Sequence, residues 1–206
     1  MHWCLSLKRR RWRDNLLNTS LVRKIRLKFK SVSEIVGSTN LALLVLTDVQ
    51  EQKQISIVCE QAMALQLSLR ASHSPLSKTF LPEVLWQALS LQSDSQFEVL
   101  INGLVDGQYR AIFYDTATLT PISIGVSDAV LLSLIGDVPL YIEESLMYRQ
   151  SVSFRDGSEG IAIPVNTLNI EMLKDALDKA IENENYELAS HLRDEMRRRK
   201  IDNPLT

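Results

Sequence analysis

The sequence predicts an α+β fold: a mixed, mainly antiparallel β-sheet with packed helices, followed by a C-terminal antiparallel helical hairpin. Residues 23–30 alternate apolar and cationic side chains, which is the period of a half-buried strand. Residues 169–181 instead repeat apolar side chains every three or four positions, as an amphipathic helix does. Between them, strand-like and helix-like segments mix without regular βαβ alternation, which favours α+β over a doubly wound sheet.

Short apolar or alternating runs mark the other strands, and apolar side chains at helical spacing mark the helices. The predicted strands are 41–49, 55–60, 97–107, 109–115 and 119–125, and 138–147 reads as a short strand that runs into a helical turn. The predicted helices are 60–70, 81–92 and 127–137. Asp106-Gly107 is typical of a tight hairpin turn.

Two helices carry more detailed expectations. In the helix 81–92, apolar side chains at helical spacing predict a buried stripe formed by Leu81, Leu85, Ala88 and Leu89. In the helix 127–137, Ser127 is expected to cap the N-terminus, Asp128 to lie in the positive first turn, and Gly136 to end the helix.

The alternating strand has a cationic face formed by Lys24, Arg26, Lys28 and Lys30. Lysines on a strand commonly protect the open edge of a sheet, so an edge strand is one interpretation. A stripe that follows the phosphates of a nucleic acid is the other, and it makes these four residues candidates for nucleic-acid binding.

Composition and charge suggest a division of the chain. Residues 1–30 hold ten Lys and Arg and one Asp, whereas the remainder holds 13 basic and 24 acidic residues. We expect a basic tail at 1–21 that can be disordered, an α+β domain at 22–148, a linker rich in small polar residues at 149–167, and the hairpin at 168–202. The tail could attract nucleic acid or anionic lipid, or it could simply be solvated.

Cys4 and Cys59 are isolated, which supports neither a disulfide framework nor a thiolate metal site and makes a reducing cytoplasm the expected location. No apolar run approaches the ~18 residues of a membrane-spanning helix. The opening residues place a short apolar piece before their charges, the reverse of a secretory signal.

Residues 180–196 resemble the UVR motif, the short helical hairpin of the excision-repair proteins UvrB and UvrC. The matched positions are Ala180, Tyr186, Glu187, Ala189, Leu192, Arg193, Asp194 and Met196. The resemblance implies a protein-interaction module, and it makes Tyr186, Glu187, Ala189, Leu192, Arg193 and Asp194 candidate partner-binding residues.

Residues 22–148 resemble the bifunctional nuclease domain family. The resemblance is carried by the segments 55–69, 81–89, 99–113, 127–134 and 138–146. It implies a mixed α+β domain, often dimeric, and nuclease activity on DNA or RNA. Several polar family positions are lost; Met63, for example, stands where the family usually has an acid. Asp106-Gly107 and Ser127-Asp128-Ala129 are kept.

The candidate catalytic residues are Asp128, Asp106 and Glu143, with Glu83 and Glu144 as further acids. Each also has a structural interpretation, because Asp106 can form a turn and the others can lie in the first turn of a helix. We expect a nucleic-acid-related binding or scaffold protein that also meets a protein partner and forms a homodimer. The alternative is an active nuclease, which would need Mg²⁺ or Mn²⁺.

Overall fold

The computed structural model describes residues 23–35, 40–92, 95–154, 167–168 and 170–199. Eight strands of this part of the chain form one sheet in the order β6-β5-β4-β7-β1-β2-β3-β8. The β4–β7 pair is parallel, and the other pairs are antiparallel. The strands are β1 (Lys24–Glu34), β2 (Leu41–Asp48), β3 (Lys53–Glu60), β4 (Phe97–Val105), β5 (Gln108–Asp115), β6 (Pro121–Gly125), β7 (Leu140–Glu143) and β8 (Val152–Ser153).

Helices complete the predicted α+β fold, which the structure confirms. They are α1 (Gln61–Ala71), α2 (Leu81–Gln92), α3 (Val126–Gly136), α4 (Glu144–Gln150), α5 (Ile170–Glu182) and α6 (Tyr186–Arg198), with a 3₁₀ turn at Pro75–Thr79. Within the described ranges, no helix is both long and apolar enough to cross a membrane.

The main core lies between the sheet and the helices α1 and α3. Leu44 and Leu46 from β2 and Ile101 from β4 are fully buried there, together with Leu67 from α1 and Val130 from α3. β2 is buried along nearly its whole length, as its continuous apolar run predicts.

The alternation along β1 is confirmed, but its interpretation as an edge strand is wrong. Leu27 is buried, Ile25 and Phe29 pack against the same core, and Arg26 and Lys28 are exposed. However, β1 lies inside the sheet, where it pairs with β2 on one side and with β7 on the other. Sequence alternation reports the two faces of a strand and carries no information about its neighbours.

The predicted buried stripe of α2 is also wrong. Leu81, Leu85, Ala88 and Leu89 do share one face, but that face is exposed, and α2 has no buried residue. The helix contacts the domain through Trp86, whose indole packs on Gly136 and 6.0 Å from the ring of Phe97. The apolar stripe is therefore exposed to solvent and not buried in the core.

Two local predictions about turns and caps have different outcomes. Asp106 and Gly107 both have positive φ angles, 50° and 77°, as a type I′ hairpin turn between β4 and β5 requires, so this prediction is confirmed. Helix α3 begins at Val126 with Gly125 at the N-cap position, so Ser127 does not cap it, although Asp128 lies in its first turn.

Residues 149–154, which the sequence assigns to the start of a linker, complete α4 and form β8, which pairs with β3. The predicted tail at 1–21 and residues 155–166 of the predicted linker lie outside the described residues.

Candidate functional site

The three candidate catalytic acids do not meet at one place. Asp128 lines a cleft of about 560 Å³. Asp106 lines a neighbouring cleft of about 710 Å³, formed with the end of α4 and the last turn of α6. Glu143 ends β7 and lines neither cleft. Burial raises the pKa of Glu143, although the nearby Arg149 partly opposes this.

Several polar side chains line the 560 Å³ cleft, which lies where the junction between β3 and α1 faces the first turn of α3. Glu60 is the N-cap residue of α1, and Asp128 lies in the first turn of α3, so both carboxylates sit at the positive ends of helices. Gly125 allows Asp128 to fold back, because a Cβ at that position would lie 3.0 Å from its Oδ2. The cleft is also lined by Cys59, Met63, Gly107, Gln108, Tyr109, Ser127 and Thr167.

Glu60, Cys59 and Tyr109 were not predicted as site residues. Burial, followed by the neighbouring Glu60 carboxylate, raises the pKa of the Cys59 thiol to about 11, so it stays protonated at neutral pH and is a poor nucleophile. Burial also raises the pKa of Tyr109. Glu60 lies at a boundary between a strand and a helix. This position is the feature of the sequence that could have indicated Glu60 as a site residue.

Glu83 and Glu144, the two further candidate acids, take part in contacts that stabilise the fold. Glu83 pairs with Arg70, with 2.7 Å between its Oε1 and the Nη2 of the arginine, and thereby ties α2 to α1. Glu144 begins α4, where its backbone N–H donates to the carbonyl of Arg23.

Two residues of the cationic face of β1 already have partners. Lys24 pairs with Glu98 at 2.5 Å, and its ammonium lies 4.2 Å from the centre of the Tyr141 ring. Burial alone would raise the pKa of Glu98, but hydrogen bonds from Lys24 and Tyr114 outweigh it and lower that pKa.

Lys30 lies at a bulge in β1 and pairs with Glu51 at 2.9 Å. Arg26 and Lys28 are exposed, and no carboxylate of the described residues forms an ion pair with either of them. Of the four predicted nucleic-acid-binding residues, these two are the most available for a phosphate.

The hairpin of α5 and α6 separates its residues into an inner and an outer set. Ala189 and Leu192 are buried against Leu173 and Ala180 of the other helix, so these two candidate partner-binding residues hold the hairpin together. Asn185 caps α6 by accepting a hydrogen bond from the N–H of Leu188.

The other four candidate partner-binding residues lie on the outside. Tyr186 is 69% exposed, and Glu187, Arg193 and Asp194 are exposed as well. Tyr186 and Arg193 are seven positions apart and therefore share one face of α6. This face takes no part in closing the hairpin.

The open end of the hairpin is closed by a partly buried ion pair. Glu195 bonds Arg199 at 2.6 Å, and Arg199 donates from Nη1 to the carbonyl of Leu168 at 2.5 Å. Burial opposes ionisation of Glu195, but hydrogen bonds from Arg198 and Arg199 outweigh it and lower its pKa. A Cβ at Gly107 would lie 2.4 Å from the Leu168 carbonyl oxygen, so the hairpin rests against the β4–β5 turn.

Comparison with known families accounts for both parts of this architecture. The model of the bifunctional nuclease domain matches residues 44–155, which is more than half of the chain. The chain belongs to the bifunctional nuclease domain family. The model of the UvrB/uvrC motif matches residues 168–200. Both resemblances predicted from the sequence are confirmed, and no curated protein matches the chain.

The described residues of the bifunctional nuclease domain contain no metal site built from three or more protein side chains. Two carboxylates line the 560 Å³ cleft, but no three His, Cys, Asp or Glu side chains among the described residues are grouped closely enough to hold a metal ion. The side chains present there therefore do not fit a Mg²⁺ or Mn²⁺ site with three protein ligands.

Proposed function

We propose that this member of the bifunctional nuclease domain family is a nucleic-acid-related binding or scaffold protein, whose UVR hairpin recruits a protein partner and which acts as a homodimer. The observation that carries the proposal is the division of the hairpin motif into two sets. Its apolar positions, among them Leu192, are used to close the hairpin, whereas Tyr186 and Arg193 are exposed on one face. Tyrosine and arginine are among the residue types that contribute most of the binding energy at interfaces.

The partner-binding part predicts that Tyr186→Ala combined with Arg193→Ala removes a protein partner. Both side chains are exposed, so the hairpin should stay folded while its contact surface is truncated. The measurement is capture from cell extract on immobilised protein, with the bound proteins identified by mass spectrometry. A matched control is Lys174→Ala combined with Asp178→Ala, two exposed residues of α5. If the wild type, the variant and the control retain the same proteins, this surface is not the binding site.

The nucleic-acid part rests on the cationic face of β1 and on the family. A phosphate-binding strand needs exposed cations without tightly bound counter-charges. Arg26 and Lys28 are exposed, and neither forms an ion pair with a carboxylate of the described residues. Their attraction for a polyanion falls with ionic strength, so the bound fraction should decrease steeply as salt is added.

The second candidate function is a metal-dependent nuclease, which is favoured by the two carboxylates, Glu60 and Asp128, that line the same cleft. Incubation of the protein with single- and double-stranded DNA and RNA, with Mg²⁺ or Mn²⁺, separates the two functions. For a binding protein we expect salt-sensitive binding without cleavage.

Asp128→Asn and Asp106→Asn provide the comparison, because both remove an exposed carboxylate but only Asp128 lines the 560 Å³ cleft. Cleavage that disappears with Asp128→Asn and persists with Asp106→Asn would establish the nuclease and overturn a purely binding role. Absence of both cleavage and binding would overturn the nucleic-acid part and leave the partner-capture result to be judged by itself.

A further inference from the structure

The 560 Å³ cleft lies between two parts of the sheet that are not neighbours. One side is formed by the end of β3 and the start of α1, and it includes Cys59 and Glu60. The other side is formed by the start of β5 and the start of α3, and it includes Tyr109 and Asp128. In the sheet order, β4, β7, β1 and β2 separate β5 from β3. The two sides therefore face each other without being paired as strands.

Thr167 forms a third wall of this cleft. It is 2% exposed and directly precedes Leu168, which belongs to the apolar core of the hairpin. The other lining residues belong to the sheet, to the β4–β5 turn or to the helices α1 and α3. The cleft is therefore completed by the part of the chain that enters the hairpin.

The position of this wall is set by the contact between the hairpin and the β4–β5 turn. The Leu168 carbonyl accepts a hydrogen bond from Nη1 of Arg199 at 2.5 Å, and the arginine side chain is only 5% exposed. The same carbonyl lies so close to Gly107 that a Cβ there would be 2.4 Å from its oxygen. Gly107, and Gln108 and Tyr109 after it, line the cleft. The hairpin is therefore seated at the rim of the cleft.

The hairpin is built to move as one unit. Its buried apolar residues form a cluster separate from the core of the sheet. Among the described residues, α5 and α6 pack extensively only on each other, and neither packs extensively on a strand or helix of the α+β domain. Units of one chain that share a small contact are expected to move relative to each other. Displacement of the hairpin would carry Thr167 away with Leu168.

We propose that the hairpin is a removable wall of the 560 Å³ cleft. When it leaves the β4–β5 turn, Thr167 is withdrawn and the inner side of the cleft, with Cys59, becomes accessible. Cys59 is 6% exposed, whereas Glu60 and Asp128 are exposed while the hairpin is seated. Displacement therefore changes the depth of the cleft. This inference goes beyond partner recruitment, because it gives the hairpin an effect on its own domain.

The test is the rate at which N-ethylmaleimide alkylates Cys59 in the full chain at one fixed pH. Mass spectrometry of the peptide that contains Cys59 separates its reaction from that of Cys4. When the hairpin moves faster than the reagent reacts, the rate is proportional to the population with the hairpin displaced. We expect Arg199→Ala to raise the rate roughly tenfold or more, because loss of a hydrogen bond from a charged group shifts an equilibrium by about that factor.

Arg198→Ala is the matched control. Arg198 also bonds Glu195, at 2.7 Å, but its side chain is 66% exposed, and the hydrogen bond to the Leu168 carbonyl comes from Arg199. Each variant leaves Glu195 paired with the other arginine, so we expect the rate in Arg198→Ala to stay within about twofold of the wild type. Equal acceleration in both variants would overturn the proposal, because general loosening of α6 would then explain it.

Gly107→Ala displaces the hairpin from the domain side without altering a hairpin residue, and it should also accelerate alkylation of Cys59. Hydrogen exchange in β2, measured on the same samples, shows whether the domain stays folded. Acceleration in Arg199→Ala and Gly107→Ala with β2 protected supports the removable wall. An unchanged rate in both variants would overturn it, and so would acceleration that appears only with loss of protection in β2.

Discussion

Replacement of Leu192 by alanine is expected to open the C-terminal hairpin while the sheet stays folded. Leu192 is 1% exposed and packs among the buried residues of α5 and α6. Truncation of a buried leucine commonly costs about 2–5 kcal/mol. A hairpin of this size has little stability of its own, so a loss of that size is enough to unfold it.

Hydrogen exchange measures this result residue by residue. Amides of α5 and α6 should lose protection in Leu192→Ala, whereas those of β2 should keep it. Leu188→Ala is the matched control, because that leucine lies on the same helix but is 39% exposed. Equal loss of protection in the hairpin and in β2 would show that the two parts unfold as one unit, contrary to this expectation.

Replacement of Gly107 by alanine is expected to separate the hairpin from the β4–β5 turn. The φ of Gly107 is +77°, a region that costs an ordinary residue roughly 1–2 kcal/mol. The added Cβ would also lie 2.4 Å from the Leu168 carbonyl oxygen and 2.8 Å from Nη1 of Arg199. We expect faster exchange at residue 168 and through the last turn of α6.

Two controls distinguish the causes. Gly103→Ala lies in the same β-hairpin, but the nearest heavy atom to its Cβ would be 3.9 Å away, so little change is expected. Gly107→Asn tolerates the positive φ but keeps the steric conflict. If Gly107→Asn behaves like the wild type, backbone strain rather than contact with the hairpin explains the alanine result.

Features with a local cause could be predicted from the sequence. The alternation of β1, the apolar run of β2, the Asp106-Gly107 turn and the Asn185 cap each depend on residues close together in the chain. The UVR-type hairpin was predictable for the same reason, since its core repeats within about thirty residues.

Features that depend on distant partners could not be predicted in this way. The spacing of apolar residues in α2 identifies an apolar face of the helix, but it does not show what that face contacts. The sequence therefore predicts that Leu81 and Leu85 are buried, whereas the structure exposes them. The cleft joins Glu60 and Asp128 from two strand-to-helix junctions almost seventy residues apart. No spacing rule connects such positions before the sheet is assembled.

The position of β7 between β1 and β4 has a consequence for the growing chain. Strands β1 to β3 are complete once residue 60 has been synthesised, whereas β7, which pairs with β1, follows about 80 residues later. In that interval β1 is the outer strand of the meander β1–β2–β3, and the backbone N–H and C=O groups on its outer side have no strand to pair with. Charged side chains on an open strand oppose pairing with strands of other chains, and Arg26 and Lys28 lie on this strand.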